Sequence, residues 1–421
     1  MSFPRYPKYK DSGVEWLGQV PEHWEVWKLA HAFELIGSGT TPKSDNREYY
    51  EGGNIAWVNT GDLNDGELDE CEKRITDLAI AHHSSLKTYP AGSLLIAMYG
   101  ATIGKLAMLR FPATVNQACC VFAGKSAIVS KFMFYWFFGL RQQIISLATG
   151  GGQPNVSQDI LRTLRVACPN DDEQTRIAAF LDQETAKIDE LVAKQKRLIE
   201  LLIEKVKCLV LSSFDLPETK QLRFGSVAQI ISRPVTQKED EEYARIGLYN
   251  KGRGLFHREA SEKDDMGDSD FFWVEEGDLI ISGQFAWEGA VALASEDDTG
   301  CVVSHRFPVL RGVPGVSFTE YLFALLLTEH GDFLLNENSR GAAGRNRPLN
   351  ITALLKEKIP LPSLKIQQAV VNAVHYKKQL LVEISKQIDL LQERRTALIS
   401  AAVTGQIDVR QVLNSPAATK N

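Results

Sequence analysis

AGSLLIAMYGATIGKLAM, residues 91–108, returns 185 residues later as EGDLIISGQFAWEGAVAL, residues 276–293. Gly92, Leu94, Ile96 and Gly104 fall on Gly277, Leu279, Ile281 and Gly289. Working outward, SKFMFYWFF (130–138) falls on TEYLFALLL (319–327). QPNVSQDILRTLRV (153–166) corresponds to RPLNITALLKEKIPL (347–361), with Asn155-Val156-Ser157 set against Asn350-Ile351-Thr352. IELLIEKVKCLV (199–210) matches IDLLQERRTALI (388–399), with Ile, Leu, Leu and Glu identical in place. The same order recurs over more than 120 residues, so the chain is a duplication. Each copy is a globular part followed by a helical part.

The helical parts carry apolar stripes. In the first, Ile177, Leu181, Ile188, Leu191, Leu198, Leu202, Val206 and Leu209 recur at steps of about three and four. In the second, Val370, Val374, Leu381, Ile384, Ile388, Leu391, Leu398 and Ala402 do so, with Lys377 and Arg395 interrupting the seam. Neither stretch contains proline, and Ala, Glu, Gln and Lys fill the intervening positions. Asn170 or Asp171 is placed to cap the first helix. A helix of this length, roughly 60 Å at about 1.5 Å per residue, cannot hide its stripe alone. The two are expected to pack against each other, leaving Ile199, Val210 and Leu390 as surface for partners.

The globular parts read as α/β (α+β). Residues 92–97 and 277–282 are short, Leu- and Ile-rich strands, and 131–138 and 320–328 are buried helices. The predicted fold is two pseudo-repeated globular domains separated by two long antiparallel helices forming a coiled-coil spacer. The expected boundaries are 1–170, 171–214, 215–362, 363–405 and a tail at 406–421.

The chain has 421 residues, 44% hydrophobic and 24% charged, with a net charge of −6. This excludes a wholly disordered or collagen-like chain. The longest apolar stretches, 132–138 and 321–327, are too short to span a bilayer. The opening MSFPRYPKYKDSGVEW has no apolar signal core, and the six cysteines form no C-x-x-C pair, so a cytoplasmic protein is expected. The second globular stretch, 216–362, holds 16 basic and 23 acidic residues. Any nucleic-acid surface must therefore be local and on loops.

No catalytic constellation emerges. The segment from Gly100 to Gly104 puts only three residues between its glycines, and Leu106 stands where a phosphate loop needs Ser or Thr. Gly37-Ser38-Gly39 runs into Pro42 instead of the third glycine of a dinucleotide fingerprint. Asp215-x-x-Glu218-x-Lys220 is too compressed for a nuclease, and His82-His83 reads as a surface turn.

The opening PKYKDSGVEWLGQVPEHWEVWKL, SGTTP at 38–42, the GATIGK loop, Asn116-Gln117 and the helix DDEQTRIAAFLDQETAKIDELVAKQKRLIELL resemble type I restriction–modification specificity subunits. The ending RRTALISAAVTGQID of the second helix extends the likeness to nearly the whole chain. The resemblance implies a non-catalytic scaffold whose two target-recognition domains each read one half of a bipartite site in double-stranded DNA. It also implies two adenine-methylating subunits using S-adenosylmethionine, and restriction/translocase subunits using ATP and Mg2+, with no cofactor or metal in this chain.

Base reading calls for Arg toward guanine and Asn or Gln toward adenine, with other donors on phosphates. In the first half the candidates are Thr40, Thr41, Lys43, Tyr99, Lys105, Asn116, Gln117, Gln153 and Asn155. In the second they are Gln284, Trp287, His305, Arg306, Arg340, Arg345, Asn346 and Arg347, the last four forming the best local positive patch. A competing reading, a coiled-coil adaptor joining two protein-binding domains, draws on the acidic bias of residues 239–278.

Overall fold

The computed structural model describes residues 3–149, 154–236, 238, 241–262, 269–339 and 347–410. It divides into two compact units, residues 1–193 with 388–421, and residues 194–387. Each unit holds one globular part and a half of each long helix.

In the first unit a five-stranded sheet runs in the order Phe33–Gly37, Cys119–Ser126, Leu94–Ala97, Leu106–Leu109, Gly66–Leu68. Its central strands are apolar on both faces, because both faces are covered. Leu94, Ile96, Cys120 and Phe122 enter one core with Trp24, Phe132 and Trp136, while Leu95, Ala97, Cys119 and Val121 enter another with Val58 and Val115. The helix Ser130–Gly139 is buried almost throughout, as its aromatics require. His82 and His83, expected on a surface turn, instead close the short helix Asp77–His82, where the His83 ring meets the Ala79 carbonyl at 2.9 Å.

The second unit repeats this plan in shorter form. Ala228–Ile230, Val309–Gly312, Leu279–Ile281 and Val291–Leu293 take the order of the first four strands above. Leu279, Ile281, Val291 and Leu310 face a core with Tyr321, Leu325 and Val370, while Ile280, Val303 and Val309 face a second one. The duplication expected from the sequence is thus a duplication of fold.

The long helices are Asp171–Ser212 and Leu364–Val403. Asn170 caps the first, its side chain accepting from Glu173 N at 3.0 Å. The helices run antiparallel: in the first unit Arg395 pairs with Asp189 at 3.0 Å, and in the second Gln195 donates to Gln387 at 3.0 Å while Lys207 lies near Lys377. The stripe is only partly a seam. Ile177, Leu181, Ile188 and Val206 are buried, but Leu191, Leu198 and Leu209 are exposed. Val210, expected on the surface, is fully buried, because this end of the helix packs on the globular core of the second unit as well as on its partner helix.

One glutamine joins each helix to its globular part, and the two joints are the same. Gln174 accepts from Val129 N at 2.7 Å and donates to Pro169 O at 2.8 Å and Ala127 O at 3.4 Å. Gln367 accepts from Phe318 N at 3.1 Å and donates to Pro362 O at 2.9 Å and Val316 O at 3.1 Å. Both side chains are buried, with both amide hydrogens donated and the carbonyl oxygen accepting.

In the first unit the N-terminal arm also meets the end of the second helix. Glu173 accepts from Tyr6 Oη at 2.6 Å and Trp24 Nε1 at 3.3 Å, and lies 2.9 Å from His23 Nε2. Asp408 N donates to Pro4 O at 2.8 Å, and Arg410 lies over the Tyr6 ring while paired with Asp408. Burial pushes the Asp408 carboxyl up, but the bonds from Arg410 outweigh this and hold it below its ordinary 3.8. A carboxyl lowered on folding adds stability above its unfolded value, and that contribution disappears as pH falls through the folded value. This clasp is therefore expected to weaken below about pH 4. Urea melts between pH 3 and 7 should show an acid limb that is smaller in Asp408→Asn; an identical limb would contradict the assignment.

Candidate nucleic-acid interface

Strand direction alone gathers the reading candidates. In the first unit, Gly37 pairs with Val121, Cys119 with Ala97, and Ile96 with Leu106. The loops 38–43, 98–105 and 116–118 therefore leave the sheet at one end. Main-chain bonds seat them there: Gly39 N to Asn116 O, Met98 N to Ala118 O and Val156 N to Met98 O. Tyr99 forms a bridge with Asn155. Thr40, Thr41, Lys43, Tyr99, Lys105, Asn116, Gln117 and Asn155 thus share one sheet end.

Their side chains divide into two kinds. Gln117 is exposed and accepts from Thr41 Oγ1 at 2.6 Å, while Lys43 and Asn155 are exposed. Tyr99 and Lys105 are half-buried. Asn116 is buried; its amide donates to Asn59 Oδ1 at 3.2 Å and accepts from Ala118 N at 3.1 Å, bracing the loop. Thr40 gives its carbonyl to Trp57 Nε1 at 3.2 Å.

The second unit seats its loops in the same way. Gly283 N donates to Arg306 O at 2.7 Å, as Met98 does to Ala118, and Leu349 N donates to Gly283 O, as Val156 does to Met98. Gln284, His305 and Arg306 are exposed at this end. Trp287 is half-buried beneath Arg347, whose guanidinium lies 5.1 Å from the ring centre. Arg347 also donates through Nε to Ser339 O at 2.9 Å and through Nη2 to Asn336 O at 3.4 Å. It is thus a positioned cation stacked on an indole. Gln153, Arg340, Arg345 and Asn346 lie outside the described residues.

These bonds also correct the alignment of the two halves. Ser157 caps helix Gln158–Thr163 and Asn350 caps Ile351–Leu354, each accepting from the residue three positions on. Asn350 therefore stands where Ser157 does, two places from the Asn155 equivalence suggested by sequence. The eye matches Asn to Asn, whereas a helix cap accepts either residue.

Residues 21–201 and 217–391 match the family described as the type I restriction modification DNA specificity domain. The chain belongs to that family. Among its relatives, the MjaIX specificity subunit of the type I restriction enzyme from Methanocaldococcus jannaschii is 29% identical over 195 residues, 45% of this chain and 43% of that protein. The EcoR124I/EcoR124II specificity subunit from Escherichia coli is 28% identical over 220 residues, 50% of this chain and 51% of that protein. The chain spans about half the length of these two relatives. A solved chain described under complex assembly and conformational transition of the type I R-M system shares the fold, with a TM-score of 0.59 at 16% identity over 91% of this chain and 98% of that one.

Within this specificity family member, sequence reasoning passed over Gln174 and Gln367 as positioning residues. Matching glutamines at matching helix starts were the available signal. Among the described residues no group of three or more His, Cys, Asp or Glu side chains is placed to hold a metal ion, and no helix is long and apolar enough to cross a membrane.

Proposed function

We propose that the chain is the sequence-reading subunit of a type I restriction–modification complex in the cytoplasm. It binds a two-part, asymmetric site in double-stranded DNA. The globular segments 1–170 and 215–362 each read one half through the loops at their sheet ends. One observation carries the reading: the two halves seat their loops with equivalent main-chain bonds but present different side chains. Asn116-Gln117 in one stands against Ser304-His305 in the other, and Tyr99 against Gln284. Similar seating implies similar approaches to a duplex, and different donors and acceptors imply different bases.

The chemistry then lies in partners. Two methylating subunits with S-adenosylmethionine dock on the duplicated surfaces, and restriction/translocase subunits supply ATP- and Mg2+-dependent cutting. Mapping methylated adenines genome-wide, with and without this gene, tests the assignment. A gene-dependent motif of two unlike halves is expected; a palindromic motif, or none, overturns it.

Arg347 offers a local check. Because two of its donors are held by backbone carbonyls, it meets DNA as a fixed, stacked cation. Arg347→Ala is expected to cost about 1–3 kcal/mol of binding through the second half only. Arg347→Lys should fail to restore it, since an ammonium neither stacks nor forks. Competition binding with duplexes altered in one half at a time reads this out.

A further inference from the structure

In the second unit a cleft of about 780 Å³ opens between the 287–289 turn and the paired long helices. Four cations line it: Lys207 and Lys377 from the helices, and Lys251 and Arg253 from the turn joining Ile246–Leu248 to Leu255–His257. Glu288, Glu329 and Asp332 also line it, but Glu288 is taken by the Asn250 amide. The four cations outnumber the three acids only because the helices add Lys207 and Lys377 to a globular stretch with an excess of acids. Lys207 and Lys377 have no ion pair or hydrogen bond among the described residues. Lys377 occupies the apolar stripe between Val374 and Leu381. Burial, and then the charge of Lys207, push its ammonium below the usual lysine range.

Two ammoniums held together over Leu326, Leu327 and Leu381 destabilise the helix pair, where leucines would complete the seam. An anion between them removes that cost. Trp287 lines the cleft, carries Arg347 and donates through Nε1 to Gln284 O at 3.2 Å, so the cleft borders the turn that presents Gln284.

We propose that this cleft grips the phosphodiester backbone of the duplex read by the second half, without regard to base sequence. The proposal rests on the DNA-reading function above. The corresponding groove of the first unit lacks the grip: Thr396 stands where Lys207 does and Gln392 where Ile203 does, with Asp389 and Glu393 beside them. Backbone anchoring through the spacer helices is therefore a property of one half only.

The test measures binding of the full chain, with any subunits that copurify, to a mixed-sequence duplex across a salt series. The double variant Lys207→Gln/Lys377→Gln is expected to lower the slope of log affinity against log salt by about 1 for each phosphate that is no longer neutralised. It should weaken all sequences equally and leave the methylation motif unchanged. Lys207→Arg/Lys377→Arg should keep the slope, as should Thr396→Ala. Melting of the Gln variant should be no lower than that of the parent, since repulsion is removed. A parent slope in the Gln variant, while the parent binds DNA steeply, overturns the grip. So does loss of a copurifying protein subunit with the slope unchanged, which would mark a protein-docking groove. A parent chain without salt-dependent duplex binding would instead strike at the DNA-reading function itself.

Discussion

Replacing Gln367 by leucine is expected to cost the second unit about 3–5 kcal/mol, a large share of the stability of a typical domain. Leucine fills nearly the same volume, so the loss is not a cavity effect. It strands Phe318 N, Val316 O and Pro362 O around a side chain that is fully buried. Each stranded group costs roughly 1–3 kcal/mol. Gln174→Leu should do the same to the first unit, stranding Val129 N, Pro169 O and Ala127 O. Urea unfolding with hydrogen exchange resolved by segment is the measurement. Protection should fall around residues 316–318 and 362–367 in one variant and around 127–129 and 169–174 in the other. A penalty below about 1 kcal/mol would show that the glutamines are not what holds helix to domain.

Gly39→Ala is expected to abolish reading by the first half while leaving the sheet folded. A Cβ at this position would stand 1.7 Å from Val115 O, a backbone atom with no room to move inside its own strand pairing. The 38–43 loop must lift, and the bonds of Gly39 to Asn116, Thr40 to Trp57 and Thr41 to Gln117 go with it. Displacement costs at least about 3 kcal/mol, on the order of 100-fold in affinity for the first half-site. Gly283→Ala presses on Arg306 O at 2.3 Å and should act on the other half-site. Methylation motifs mapped for each variant would show one half relaxed and the other intact. Parent-like motifs in both would mean that these loops do not read DNA.

The duplication, the two long helices and the buried strands were legible because each repeats a pattern dictated by backbone period and burial. Gly92–Gly104 against Gly277–Gly289 was enough to set the register of the halves. The finer register was not legible. Asn155 drew Asn350 to itself because identity is visible in a sequence and cap geometry is not. The stripe Leu191, Leu198 and Leu209 obeyed helical spacing yet stayed exposed, since spacing marks a face without saying what covers it. At the candidate site, residue types pointed to loops that share a sheet end but not to their division of labour. Only the structure separates Asn116, whose amide is consumed within the loop, from Gln117, which faces outward. Trp287 could be read as ligand or packing from sequence, and its stacking under Arg347 is what joins it to the exposed end.

The seating of the loops by main-chain bonds has an evolutionary consequence. Bonds such as Met98 N to Ala118 O and Gly283 N to Arg306 O involve groups that every residue but proline carries. Mutations at Gln117, Gln284 or His305 therefore change what the loop offers without unseating it. Exposed substitutions of this kind usually shift stability by no more than about 0.5 kcal/mol. On the proposed function, a lineage can change its recognition sequence one half at a time, without passing through an unfolded ancestor.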